Sequence, residues 1–224
     1  MKIKAYSLVL LLISAASLCA GGPAAAKLSP AANLFFPANN QTTLVYESSF
    51  GETTSTLSGS RSAMVLSNQG DKFRYIQTLE LKDDGLYVKD TYQYLKVFLF
   101  LKKENSIAYK HPLLRVPLPL EIGKSWKSEE IEYCGADSDK VEINGKIAGN
   151  ETIATKAGTF HTIRIESELV NETGMKNKLT EWYAEGIGLV KVRVVVEGGG
   201  ISGVLRDLLG YGEINFELKE IKKS

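Results

Sequence analysis

The 224-residue sequence has little of what most site chemistries are built from, with two cysteines, two histidines and two tryptophans. A transition-metal centre needs clustered His, Cys or carboxylate ligands, and His111, beside Pro112, and His161, at a strand start, offer no such spacing. Asp137, Asp139 and Glu142 lack the glycine and final glutamate of a calcium loop. Ser202 in Gly200–Val204 lacks the second glycine of a nucleophile elbow, and Gly198–Gly200 is not followed by the Lys-Ser/Thr of a phosphate loop. Cys134 with His161 as base would be one route to a thiolate, but Cys134 reads as a small, partly buried residue after Tyr133. No catalytic residue, metal ligand or cofactor site is therefore assigned, and the chain is expected not to be an enzyme.

Long apolar runs are also missing. A bilayer-spanning helix needs roughly 20 such residues, and the apolar stretch Val97–Leu101 is hemmed in by Lys96, Lys102 and Lys103. The formal net charge is only +1, with no basic excess to attract nucleic acid.

What is present starts with Met1–Ala26, which has the parts of an export signal: basic Lys2 and Lys4, an apolar stretch from Leu8 to Ile13, and small residues near the end. Ala24 and Ala26 form an A-x-A site, which places cleavage before Lys27, with a cut near Gly21 as the alternative. Cys19 raises lipidation. A lipobox wants a large aliphatic residue three places earlier and a small one just before, whereas Ala16 and Leu18 stand in the reverse order, so a soluble product is favoured over an outer-membrane lipoprotein. The expected localisation is periplasmic or secreted. Processing leaves Cys134 as the one cysteine, which excludes an intramolecular disulfide even in an oxidising compartment. The core must supply the stability, and about 198 residues suffice for one β domain.

The domain plan is a signal peptide over 1–26, a flexible lead segment over 27–40 and a single antiparallel β domain over 41–224. Period two dominates that domain. Phe73, Tyr75, Leu79 and Leu81 share a face, and Asp84-Gly85 signals a hairpin turn. Val190, Val192, Val194 and Val196 face one way while Lys191, Arg193 and Glu197 mostly face water, and Ile214, Phe216 and Leu218 alternate with polar residues. Pro112, Pro117 and Pro119 predict extended edge or loop chain over His111–Leu120. The fold class is mainly β: a curved antiparallel sheet, half-barrel or barrel of about ten strands. One short C-terminal helix is compatible with Ile201, Val204, Leu205, Leu208 and Leu209 at helical spacing.

Three stretches, Pro117–Trp126 (PLPLEIGKSW), Ala157–Glu166 (AGTFHTIRIE) and Glu181–Val192 (EWYAEGIGLVKV), resemble the TapB-like family of exported bacterial proteins of unknown function. The resemblance runs from about Leu113 to Val192 and implies an antiparallel β fold in the cell envelope, without a catalytic motif. The glycines and Trp126 in these stretches are fold-specifying positions.

A surplus of aromatic residues remains. Tyr87, Tyr92, Tyr94, Phe98, Phe100, Tyr109, Trp126 and Tyr133 concentrate between positions 87 and 133. On one face of a curved sheet, with Leu205 and Leu208 as a lid, they would line a cleft for an apolar ligand or a lipidated partner. The expectation is a non-enzymatic envelope protein of binding or assembly type, holding such a ligand or another envelope protein. The alternative is a structural scaffold with a filled core, and an envelope hydrolase stands third. An open apolar cleft would favour binding; a close-packed interior would favour the scaffold.

Overall fold

A computed structural model describes residues 34–37, 42–96, 102–198 and 212–223. The signal segment, the helical pattern over 201–209, Phe98, Phe100, Leu205 and Leu208 lie outside the described residues. Twelve strands form one closed antiparallel barrel: β1 (Thr42–Ser48), β2 (Gly51–Ser60), β3 (Ala63–Gly70), β4 (Phe73–Leu81), β5 (Gly85–Lys96), β6 (Lys102–Pro117), β7 (Ser125–Cys134), β8 (Asp137–Thr155), β9 (Gly158–Asn171), β10 (Met175–Ala184), β11 (Gly188–Gly198) and β12 (Glu213–Lys223). Each pairs with its neighbour in sequence, and β1 closes the circle on β12. Closure removes the two outermost edges that an open sheet of these strands would have, and unpaired stretches remain where neighbouring strands differ in length.

The alternation seen in the sequence becomes the inside and outside of the wall. Val190, Val192, Val194 and Val196 of β11 and Ile214, Phe216 and Leu218 of β12 are buried. Each such side chain contributes about 1.5–3 kcal/mol by leaving water. Two strands beyond the expected ten come largely from the N-terminal third. There, β2 reads GETTSTLSGS and turns Thr53, Ser55 and Leu57 inward, so its buried face carries hydroxyls where an apolar period would have announced a strand.

An eight-stranded barrel is just wide enough for side chains to fill, and twelve strands enclose more. The interior is nevertheless occupied by the largest side chains, and Arg115, Tyr75, Tyr183, Phe36 and Phe216 are all fully buried. Aromatic rings close both ends. At the end holding the β1–β2 turn, Phe50 stacks on Phe73 at 5.1 Å, and Phe216 lies 5.6 Å from Phe73. At the opposite end, here the base, Phe36 of the lead segment meets Tyr183 edge-on at 5.2 Å, and the Leu34 carbonyl accepts from the Gly186 amide at 2.7 Å.

Two departures from regular pairing shape the surface. The prolines act where the sequence expects them to: β6 pairs with β5 at Leu113 and beyond and again at Ala108, and Tyr109–Pro112 between them have no β5 partner. Pro112 thus sits where the ladder requires no N–H. On its other side, β6 pairs with β7 only at Ala108–Tyr133 and Tyr109–Glu132. Second, β8 and β9 run on past their neighbours. The β7 ladder ends at Lys146 and the β10 ladder at Thr162, leaving the rest of the hairpin as an arm. Its tip reaches β12 and β1, where the Ala157 amide bonds to the Leu218 carbonyl and Lys156 pairs with Glu47.

Candidate functional site

The aromatic residues do not converge on one cleft. Tyr92 and Tyr94 alternate with the buried Thr91, Gln93 and Leu95 of β5, which puts both on the outer side of the wall; the Tyr92 hydroxyl donates to Glu104 there at 2.9 Å. Tyr87 is half-buried, donates to Asp84 at 3.0 Å and lies under Lys82. Burial and the Asp84 carboxylate push its hydroxyl up to about 12. Tyr133 is 43 % exposed. Tyr109 is buried inside, and Trp126 covers Gly145, where an added Cβ would meet the indole ring at 2.2 Å. Period two deals a run of aromatics alternately to the two faces, so closeness in sequence does not become a common lining. The void bounded by Phe50, Phe73, Tyr94 and Leu95 measures about 20 Å³, too small for an acyl chain.

The remaining sequence candidates are likewise dispersed. Cys134 ends β7 at the end remote from the base, whereas His161 lies in the arm near the base, bonded to Thr152 at 2.9 Å, so the two cannot form a thiolate pair. The His111 ring bonds to Glu130 at 3.0 Å. Asp137, Asp139 and Glu142 lie along β8, with Glu142 paired to Lys127. Among the described residues no group of three or more His, Cys, Asp and Glu stands close enough to hold a metal ion.

In place of a cleft, the interior holds a polar network that sequence reasoning missed. Fully buried Arg115 of β6 pairs with fully buried Glu181 of β10. The Tyr183 hydroxyl donates to the second Glu181 oxygen at 3.0 Å, and Arg115 reaches Ser167 at 3.4 Å. Burial raises the Glu181 carboxyl, against the opposing pull of Arg115 and the Tyr183 bond. The signal for this pair was legible: Asn177, Leu179, Glu181 and Tyr183 share one face of β10, so a glutamate on the core side needed an internal partner.

A second buried carboxylate lacks such a partner. Glu132 is 3 % exposed and stands opposite Tyr109 on β6 and Asp139 on β8. Its one bond comes from Asn171 at 3.5 Å, and Oε2 has no partner, as is also true of the buried Tyr109 hydroxyl. Burial drives its carboxyl up to about 7. Two places along β7, Glu130 accepts from the His111 amide at 2.6 Å and substitutes a side chain for the absent ladder.

At the base, the arm, the end of β10 and Phe35 enclose an open cleft of about 710 Å³. Glu151, Phe160, His161, Ile163 and Glu185 contribute to its walls. Glu151 is held by the Trp182 indole at 2.9 Å and by Arg164 at 3.2 Å, which fixes the arm against β10.

No curated protein matches the chain. Two crystal structures are similar in shape: a candidate lipoprotein from Parabacteroides distasonis (12 % identity, TM-score 0.46, covering 84 % of this chain and 98 % of the other) and a candidate exported protein with a YmcC-like fold from Bacteroides fragilis (14 %, TM-score 0.44, covering 85 % and 99 %). Residues 130–194 match the DUF3108-like family model, a span that holds two of the three motif stretches and leaves Pro117–Trp126 outside.

Proposed function

We propose that this is an exported, non-enzymatic protein of the cell envelope, of structural or assembly type with a filled core, that works through its rims and outer surface and not through its interior. The observation that carries this reading is the filled barrel: aromatic rings pack together toward both ends, and Arg115, Tyr75 and Glu181 are fully buried inside it. An acyl chain would have to displace the buried Arg115–Glu181 pair and the rings packed around it, leaving buried charges without their partners. Export is supported by the signal pattern of Met1–Ala26, and the TapB-like affiliation by the ordered motifs of residues 117–192.

Native mass spectrometry of the protein purified from its own envelope tests the reading. The expected result is the bare mass of a chain beginning near Lys27. A stoichiometric lipid adduct would instead establish an apolar-ligand carrier.

A further inference from the structure

The cleft at the base has one wall that is unfinished backbone. The β8–β9 hairpin turns at Lys156-Ala157, with Thr155 opposite Gly158, and a two-residue turn makes that closing pair a hydrogen-bonded one. Counting from it, Ile153–Phe160 and Glu151–Thr162 are hydrogen-bonded pairs as well. Thr159 and His161 therefore direct their amide and carbonyl groups away from β8, toward the line of β10. But β10 has ended: its last partner on β9 is Thr162, opposite Ala184. The space it vacates is the cleft.

We propose that this cleft takes an extended segment of a partner polypeptide, which adds as a short strand to β9 at Thr159 and His161 and continues the line of β10. Main-chain bonds supply the attachment, and alternate side chains supply the selectivity. Phe35, Phe160 and Ile163 offer apolar contact, and about 710 Å³ falls within the range that accommodates a compact ligand or short peptide. Charge selects the occupant. Glu151 is already paired with Arg164, which leaves Glu185 as the lining carboxylate that would meet a ligand, so a segment alternating apolar and basic residues fits and an acidic one does not. The edge also lacks the usual guards, since residues 158–161 contain no lysine and no proline. This inference rests on the assembly reading above and names the place and chemistry of the contact.

The test titrates the nitrogen-15-labelled protein with capped Val-Lys-Val-Lys-Val, Val-Glu-Val-Glu-Val, and the basic peptide N-methylated at alternate residues. Amide shifts at Thr159, His161 and Glu185 that saturate with the basic peptide, and binding at least about tenfold weaker for the other two, are expected. His161→Pro removes an edge donor without touching the β8 ladder and should weaken binding by a similar factor. Should that variant fail to fold, Glu185→Lys decides, because it should bring the acidic peptide up toward the basic one. No shift at millimolar peptide, or equal binding of all three, overturns the proposal. Shifts of the same amides on raising protein concentration alone also overturn it, in favour of a second copy of this chain. Peptide failure with a lipid-free native mass removes this site and leaves the assembly reading standing, whereas a lipid adduct removes that reading itself.

Discussion

Two carboxylates lie in the same barrel, both all but inaccessible to water, and their surroundings differ. Glu181 has an arginine, a tyrosine hydroxyl and a central position on β10, while Glu132 has one long amide contact and an aspartate across the strand. A buried charge is tolerable when paired and costly when not. Beside Arg115 the effect of burial on the carboxyl is opposed by a cation and a tyrosine hydroxyl; at the β6–β7 seam little opposes it, and the Glu132 carboxyl is driven up to about 7. The seam is also where the ladder has only two pairs, so the least compensated charge and the thinnest backbone pairing coincide.

Breaking the compensated site should have the largest effect. Arg115→Leu leaves Glu181 buried without a cation and should destabilise the fold by about 3–5 kcal/mol in urea unfolding at pH 7, whereas Arg115→Met with Glu181→Leu should recover most of that loss.

The uncompensated site should respond in the opposite sense. Burial drives the folded Glu132 carboxyl up to about 7 from an ordinary glutamate value of 4.5, so the folded state binds the extra proton between those values. The contribution of Glu132 to stability is therefore full below about pH 4.5, declines as pH rises to about 7 and changes little above. Glu132→Gln should raise stability at pH 8 by about 3 kcal/mol and leave it unchanged at pH 4, measured as the shift in urea midpoint.

Two smaller changes sharpen the contrast around the seam. Gly145→Ala drives a methyl into the Trp126 ring and should cost about 1–3 kcal/mol. Glu130→Ala removes the acceptor for the His111 amide, an exposed bond, and should cost about 1 kcal/mol, with faster hydrogen exchange at His111 as its local sign.

The strands of the C-terminal half were readable because their inward positions are valine, isoleucine and phenylalanine, as in β11 and β12. The proline stretch was readable too, since a missing N–H tells the same story in sequence and in space. Barrel closure was not: whether a curved sheet meets itself depends on β1 pairing with β12, a contact between chain ends that no local pattern encodes. β2 was hidden by hydroxyls on its buried face. The site reading gathered aromatics by position along the chain, whereas the wall sorts them by parity. The Arg115–Glu181 pair joins residues 66 apart, so each half announces only that it needs a partner. The base cleft rests on where β10 stops, which is a matter of strand lengths and not of any motif.

The contrast between the two carboxylates is tested most directly by a carbon-13 NMR titration of the glutamate side-chain carboxyl carbons, with Glu132 assigned through the Glu132→Gln variant. The Glu132 signal is expected to titrate with a midpoint of about 7. A midpoint in the ordinary glutamate range, about 4–4.5, would contradict it, because the seam would then supply the compensation that the geometry denies.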